Sequence, residues 1–286
     1  MKFKHLLFIS LAMTFGSVQA QITIPAPSSS GSVSSKIGLV DVTIDYSRPK
    51  MKGRKIFGEG SDYLVPFGKI WRTGANAGTI VTISGDVKVE GKNLPAGEYM
   101  LLTIPGADQW TVIFYKDKSI GGNMNAHKDA DEQLRVTVKP GHLTEAVQTM
   151  TFNISDINVA NNQGFIELAW ENTSVKVKID ADYDAEVMKQ IEANTKVNPN
   201  NYVRAATYYF NTDRDMGQAL KWINMYLPGH ENEFWNIHLK AEILAKLGKK
   251  EEAIATAKKS IEVAKANDGG DFGYIKRNED LINSLK

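Results

Sequence analysis

Between Asp45 and Asn76 the chain sets Arg48, Arg54 and Arg72 among aromatic rings, prolines and turn glycines. Guanidinium forks match carboxylate, phosphate and sulfate groups and stack on aromatic faces. From Arg48 to Arg72 seven basic residues stand against Glu59 and Asp62 alone, with Tyr46, Phe57, Tyr63, Phe67 and Trp71 close in sequence. This composition suits recognition of an anion: an acidic glycan, a peptide carboxylate or a phosphorylated envelope component. The candidate ligand-binding residues are Arg48, Arg54, Trp71, Arg72 and Asn76. Arg72 leads them, because Trp71 flanks it and the Gly74-Ala75-Asn76 turn can aim backbone N–H groups at a ligand. The competing expectation is structural: the arginines hydrogen-bond loop carbonyls and pin a long irregular segment to the fold.

Other chemistries find less support. The chain has no cysteine, which removes disulfides, thiolate nucleophiles and Cys-based zinc sites together. His127, His142, His230 and His238 form no metal-binding pair of the helical type. The run from Asn123 to Glu132 is rich in oxygen ligands but lacks the spacing of a calcium loop, and reads as a solvated loop. No metal and no cofactor are therefore expected. There is no Gly-x-Ser-x-Gly elbow. A carboxylate pair on a β-fold leaves no spacing to detect, so Glu98, Asp129, Asp131 and Glu132 stand as equal candidates and the catalytic residues of any enzyme here are unknown. A cofactor-free hydrolase of envelope polymers is the alternative to a binding protein.

The elements that must position these residues come in two kinds. Met1–Ala20 has a short basic start, an apolar core and small residues at Val18 and Ala20, the build of a secretory signal cleaved after Ala20. Its apolar run is shorter than the roughly 20 residues a membrane span needs, and no later stretch qualifies. Export to the periplasm or beyond is expected, with no membrane span left after cleavage. The whole chain carries 34 basic and 33 acidic residues, which points to no nucleic-acid partner. Residues 21–36, rich in serine, read as a flexible tether. From 37 to 180 the apolar period is two, as in Trp110-x-Val112-x-Phe114 and Val175-x-Val177-x-Ile179. About eight strands follow from that alternation, separated by turns such as Leu94-Pro95-Ala96-Gly97 and Pro140-Gly141. An antiparallel β-sandwich is the expected fold. Over 181–286 the period becomes helical, with a break at Asn198-Pro199-Asn200 and stops at Pro228-Gly229 and Gly248. Phe210 and Leu244 are 34 residues apart, as are Ala219 and Ala253. That period resembles the tetratricopeptide repeat, although Thr207 stands where Ala241 has its counterpart. Such a tail is expected to dock a protein partner. Trp222 and Trp235 are read as core residues; exposed together on a concave face they would mark a peptide groove.

Tyr46-Ser47-Arg48-Pro49, Gly53-Arg54-Lys55-Ile56-Phe57-Gly58, Val65-Pro66-Phe67-Gly68 and Trp71-Arg72-Thr73-Gly74-Ala75-Asn76 form ordered blocks. Leu94-Pro95-Ala96-Gly97-Glu98-Tyr99 and Trp110-Thr111-Val112-Ile113-Phe114 continue them. Together they resemble a family of secreted bacterial proteins known as domain of unknown function 2911, over about residues 25–179. The resemblance implies secretion and a shared fold, and carries no activity or catalytic residue with it. The resulting expectation is an extracytoplasmic binding or scaffolding protein, its β domain taking an anionic or carbohydrate-like ligand.

Overall fold

The computed structural model describes residues 24–194, 198 and 200–286. The expected signal segment and Pro199 lie outside the described residues. The chain forms two compact units that divide between Asp182 and Tyr183, next to the position where the apolar period changes.

The first unit holds twelve strands among the described residues. β1 (Ser29–Ile37), β2 (Val40–Arg48), β5 (Thr79–Ile83), β8 (Gly97–Ile104), β9 (Trp110–Tyr115) and β10 (Glu132–Val138) make a six-stranded antiparallel sheet in the order β1-β2-β5-β8-β9-β10. β11 (Pro140–Ser155), β12 (Gln163–Asp180), β6 (Val87–Val89) and β7 (Lys92–Leu94) make a second sheet in the order β11-β12-β6-β7. β3 (Phe57–Gly58) and β4 (Val65–Pro66) pair in parallel within the long connection from β2 to β5. The inner faces of the two sheets share one core, in which Val42, Ile44, Val81 and Val112 meet Phe152, Leu168, Trp170 and Val177. This is the expected β-sandwich.

Three expectations change. The serine-rich segment is a strand from Ser29 onward, in unbroken register with β2 from Ser29↔Arg48 to Ile37↔Val40. Small polar residues carry no apolar alternation, but an edge strand needs none: one side of β1 pairs and the other meets solvent. Pro140-Gly141 does not close a hairpin; it opens β11 as the chain passes from one sheet to the other, with Lys139 alone between β10 and β11. The strands beyond the anticipated eight include β3, β4, β6 and β7, which at two or three residues are too short to show a period.

The six-stranded sheet is also covered on its outer face around β8 and β9. Met100, Leu102, Ile113 and Tyr115 are buried there against Ile70, Ile80, Ile120 and Met124. The strands β8 and β9 are therefore apolar on both faces, the pattern of a central buried strand.

The second unit contains α1 (Asp184–Asn194), α2 (Asn201–Asn211), α3 (Met216–Tyr226), α4 (Phe234–Lys246), α5 (Lys250–Lys265) and α6 (Tyr274–Ser284). α2 packs on α3, α4 on α5, and α6 on both α4 and α5. The 34-residue repeat thus maps α2 onto α4 and α3 onto α5. Ala206, Ala219, Ala241 and Ala253 are fully buried, because a methyl side chain lets paired helices approach closely. Asp215 caps α3 by accepting from the Gln218 amide. Gly248 ends α4 at φ +74°, where a side chain would strain the backbone. α4 is buried nearly all round (Phe234, Ile237, His238, Leu239, Ala241, Ile243 and Leu244), as befits a helix enclosed by α2, α3, α5 and α6.

Candidate binding sites

The arginine-rich connection is stitched to both sheets. Met51 N donates to Gln148 O and Met150 N to Pro49 O, which ties its start to β11. Trp71 and Thr103 exchange both backbone hydrogen bonds, at 2.8 and 2.9 Å, which ties its end to β8. Ile56 N donates to the Glu171 carboxylate at 3.3 Å. Arg48 donates from Nε to Met150 O at 3.4 Å and from Nη2 to Thr151 Oγ1 at 3.1 Å. Its aliphatic stem lies against Gly31, where a Cβ would stand 2.9 Å from the Arg48 Cδ. Arg54 donates to Met51 O at 3.0 Å and Lys50 O at 2.6 Å, closing its own turn. Trp71 is buried and donates to Gly74 O at 3.2 Å. Its ring stacks on Trp170 at 6.0 Å and meets Phe57 edge-on at 5.7 Å. Asn76 donates to Ser47 Oγ at 3.0 Å. Four of the five anticipated ligand residues therefore have their polar groups engaged within the chain.

Arg72 is the exception. Residues 71–73 alternate across the sheet: Trp71 and Thr73 enter the sandwich core, while the Arg72 stem comes within 3.7 Å of where a Cβ would sit on Gly122. Its Nε is buried without a hydrogen-bond partner, and no described acid pairs with the guanidinium. The loop that carries it is strained. Thr73 sits at φ +52°, an unusual conformation for a β-branched residue. Three buried hydroxyl contacts hold it: Thr73 Oγ1 meets Thr103 Oγ1 at 3.0 Å and donates to Trp71 O at 3.3 Å, and Thr79 Oγ1 donates to Thr73 O at 2.5 Å. Asn76, at φ +53°, and Gly78, at φ +97°, complete the turn. A Cβ at Gly78 would fall 2.6 Å from the Met100 side chain.

The loop read as solvated carries an ion-pair network. His127, Asp129 and Glu132 bring one ligand atom each within 4.8 Å of one another. Glu132 already accepts a fork from Arg135, at 2.8 and 2.6 Å, and His127 Nε2 lies 2.9 Å from its Oε1. A cationic guanidinium on the same carboxylate opposes a metal ion there. The Arg135 hydrogen bonds hold the Glu132 carboxyl below its ordinary range, although burial works in the other direction. The His127 ring stacks on Tyr115 at 5.1 Å.

The second unit holds an open groove of about 540 Å³ formed by α2, α4 and α6. Phe210 and Asn211 come from α2, Trp235 and His238 from α4, Tyr274 and Arg277 from α6. Trp235 is 41 % exposed, which corrects its reading as a core residue; Trp222 is partly buried and packs edge-on against Tyr209 at 4.8 Å, as expected. The Arg277 guanidinium lies 4.7 Å over the Tyr274 ring, and among the described residues no carboxylate pairs with it. At the other end of the unit Asp184 receives hydrogen bonds from Arg214 and Tyr208, which lower its pKa. Burial, and then that bond, push the Tyr208 phenol up to about 12.

The family model described as "Protein of unknown function (DUF2911)" matches residues 28–179, just over half of the chain. The chain belongs to the DUF2911 family. No curated protein and no solved structure matches it. The matched span opens one residue before β1 and closes one residue before the end of β12, so the DUF2911 unit includes the serine-rich edge strand and the whole sandwich. The groove lies outside the matched span. Its signal in the sequence was the 34-residue period, which predicts two helix pairs but not which side chains line the concave face. The His127–Glu132–Arg135 network had no signal, because its members sit on a loop and a strand with no fixed spacing.

Proposed function

We propose that this DUF2911 protein is an extracytoplasmic binding protein whose helical unit holds a polypeptide segment of a protein partner in the α2–α4–α6 groove. The observation that carries this reading is the 41 % exposed Trp235 in a concave surface beside an arginine without an acid partner. Exposed tryptophan and arginine are the side chains that most often dominate protein recognition. The test is selection of short random peptides displayed against the chain from Gln21 onward, followed by titration of the selected peptides. Trp235→Ala should weaken them at least tenfold, about 1.4 kcal/mol, without changing the melting temperature by more than a few degrees. Selected peptides that bind the variant as tightly as the parent would refute the reading.

The unpaired buried Nε of Arg72 supports a second site in the β unit, for a carboxylate, phosphate or sulfate group. A thermal-shift panel of inorganic phosphate, sulfate and uronic-acid oligosaccharides tests it. A ligand at 100 times its dissociation constant adds about 2.7 kcal/mol to the stability. The resulting shift should disappear in Arg72→Met. A shift that survives that substitution places the anion elsewhere.

A further inference from the structure

A chain of buried side chains runs from the α4–α5–α6 interior to the groove. Ser260 Oγ donates to Phe234 O at 2.7 Å. Asn278, fully buried, donates from Nδ2 to Ser260 Oγ at 2.9 Å and to Tyr274 O at 2.8 Å. A backbone carbonyl only accepts, so the Asn278 atom facing Tyr274 O must be its nitrogen and the one facing His238 its oxygen. His238 Nδ1 lies 2.8 Å from that oxygen, and must therefore carry a hydrogen. Neutral His238 is thus fixed as the Nδ1–H tautomer, with its Nε2 lone pair outward. The residue is 7 % exposed, lines the groove, and has Glu242 Oε2 at 3.6 Å from Nε2. In that neutral form two acceptors, the Nε2 lone pair and the Glu242 carboxylate, face one another.

We infer that His238 Nε2 and the Glu242 carboxylate form a subsite for a primary ammonium group, the lysine side chain of a bound segment. This rests on the groove being a peptide site. A lysine ammonium is a compact charge with three donors, so one atom can serve both acceptors, whereas a guanidinium fork best matches the two oxygens of one carboxylate. Trp235 in the same groove supplies an aromatic face that favours a cation. The other charged groups near the ring come from α6. Arg277 is exposed and screened by solvent, and Asp280 is held by Lys276 at 3.0 Å. The proton is the competing occupant: a proton on Nε2 turns the pair into an ion pair and closes the subsite. Asn278 acts as a positioning residue, since it fixes which nitrogen faces the groove.

The experiment is a titration of the isotope-labelled chain with Nα-acetyl-lysine methylamide, whose ε-ammonium is free, its norleucine analogue serving as the uncharged control. The readout is the long-range proton–nitrogen correlation of the His238 imidazole. The expected spectrum near neutral pH shows hydrogen on Nδ1, an Nε2 signal that moves with the lysine compound, and at least a tenfold weaker response to norleucine. Glu242→Gln should keep the tautomer and lose the lysine response. Asn278→Leu, which removes the acceptor for Nδ1–H, should release the tautomer. Hydrogen on Nε2 in the parent chain, or equal responses to lysine and norleucine, would overturn the inference. Selected peptides that need Trp235 but show no preference for lysine would leave the groove standing and remove the subsite. A lysine response without any peptide selection would remove the peptide reading and leave an amine site.

Discussion

The arginine-rich connection of the β unit and the groove of the helical unit make opposite use of their polar side chains. In the connection, Arg48, Arg54, Trp71 and Asn76 donate to partners within the chain. In the groove, Trp235 is exposed, Arg277 meets no described carboxylate, and His238 Nε2 faces another acceptor. A dense cluster of recognition-type residues is thus no sign of a ligand by itself. An irregular segment of about thirty residues has many backbone carbonyls to satisfy, and arginine, with five donors, does so across the gaps that strands leave. Regular helices satisfy their own backbone, so a polar side chain on a concave helical face has capacity left for something else.

The two tryptophans give the largest test of that contrast. Trp71→Ala should cost about 3–5 kcal/mol in denaturant unfolding, as expected for a ring removed from an aromatic core. Trp235→Ala should cost about 1 kcal/mol or less and act on binding instead. Equal losses of stability would erase the distinction between the regions. The arginines come next. Arg48→Met should cost about 1–2 kcal/mol, because Met150 O and the Thr151 hydroxyl lose a charged donor. Arg72→Met should be neutral or slightly stabilising, since it removes a buried donor that has no partner. A large loss at Arg72 would make it a structural residue like its neighbours. The smallest effect concerns acid. The Glu132 carboxyl is held below its ordinary pKa by Arg135, so its contribution is present above the unfolded-state value of about 4.3 and is lost as pH falls through the lower folded value. Glu132→Gln should lower stability at neutral pH and flatten the acid limb of the stability curve. An unchanged acid limb in a pH series of melts would contradict that assignment.

Much of the architecture is legible before folding. Trp110, Val112 and Phe114 alternate as a strand must, and the boundary near Asp182 shows where the period changes. The helix stops at Pro228-Gly229 and Gly248 fall where α3 and α4 end. The strand at Ser29–Ile37 is not legible, because Gly31 and Ser35 interrupt the apolar alternation that Val33 and Ile37 would otherwise show, and its register comes from β2. The fate of the candidate site is not legible either. Arg48 finds its partners 102 and 103 residues away. Arg72, next to the Trp71–Thr103 pairing, is turned toward Gly122 instead and finds no such partner.

The two periods, the 34-residue repeat, the lack of cysteine and the blocks that mark DUF2911 are all written in the order of residue types along the chain. Each is a local pattern of residue types, and local backbone geometry reads such patterns directly. Folding alone selects which arginine of the connection is left without a partner, which tryptophan meets solvent, and which nitrogen of His238 faces the groove. Those outcomes depend on hydrogen bonds between residues far apart in the chain, such as His238 and Asn278 at a separation of 40. A donor's availability is set by what folding brings to it, and no spacing records that.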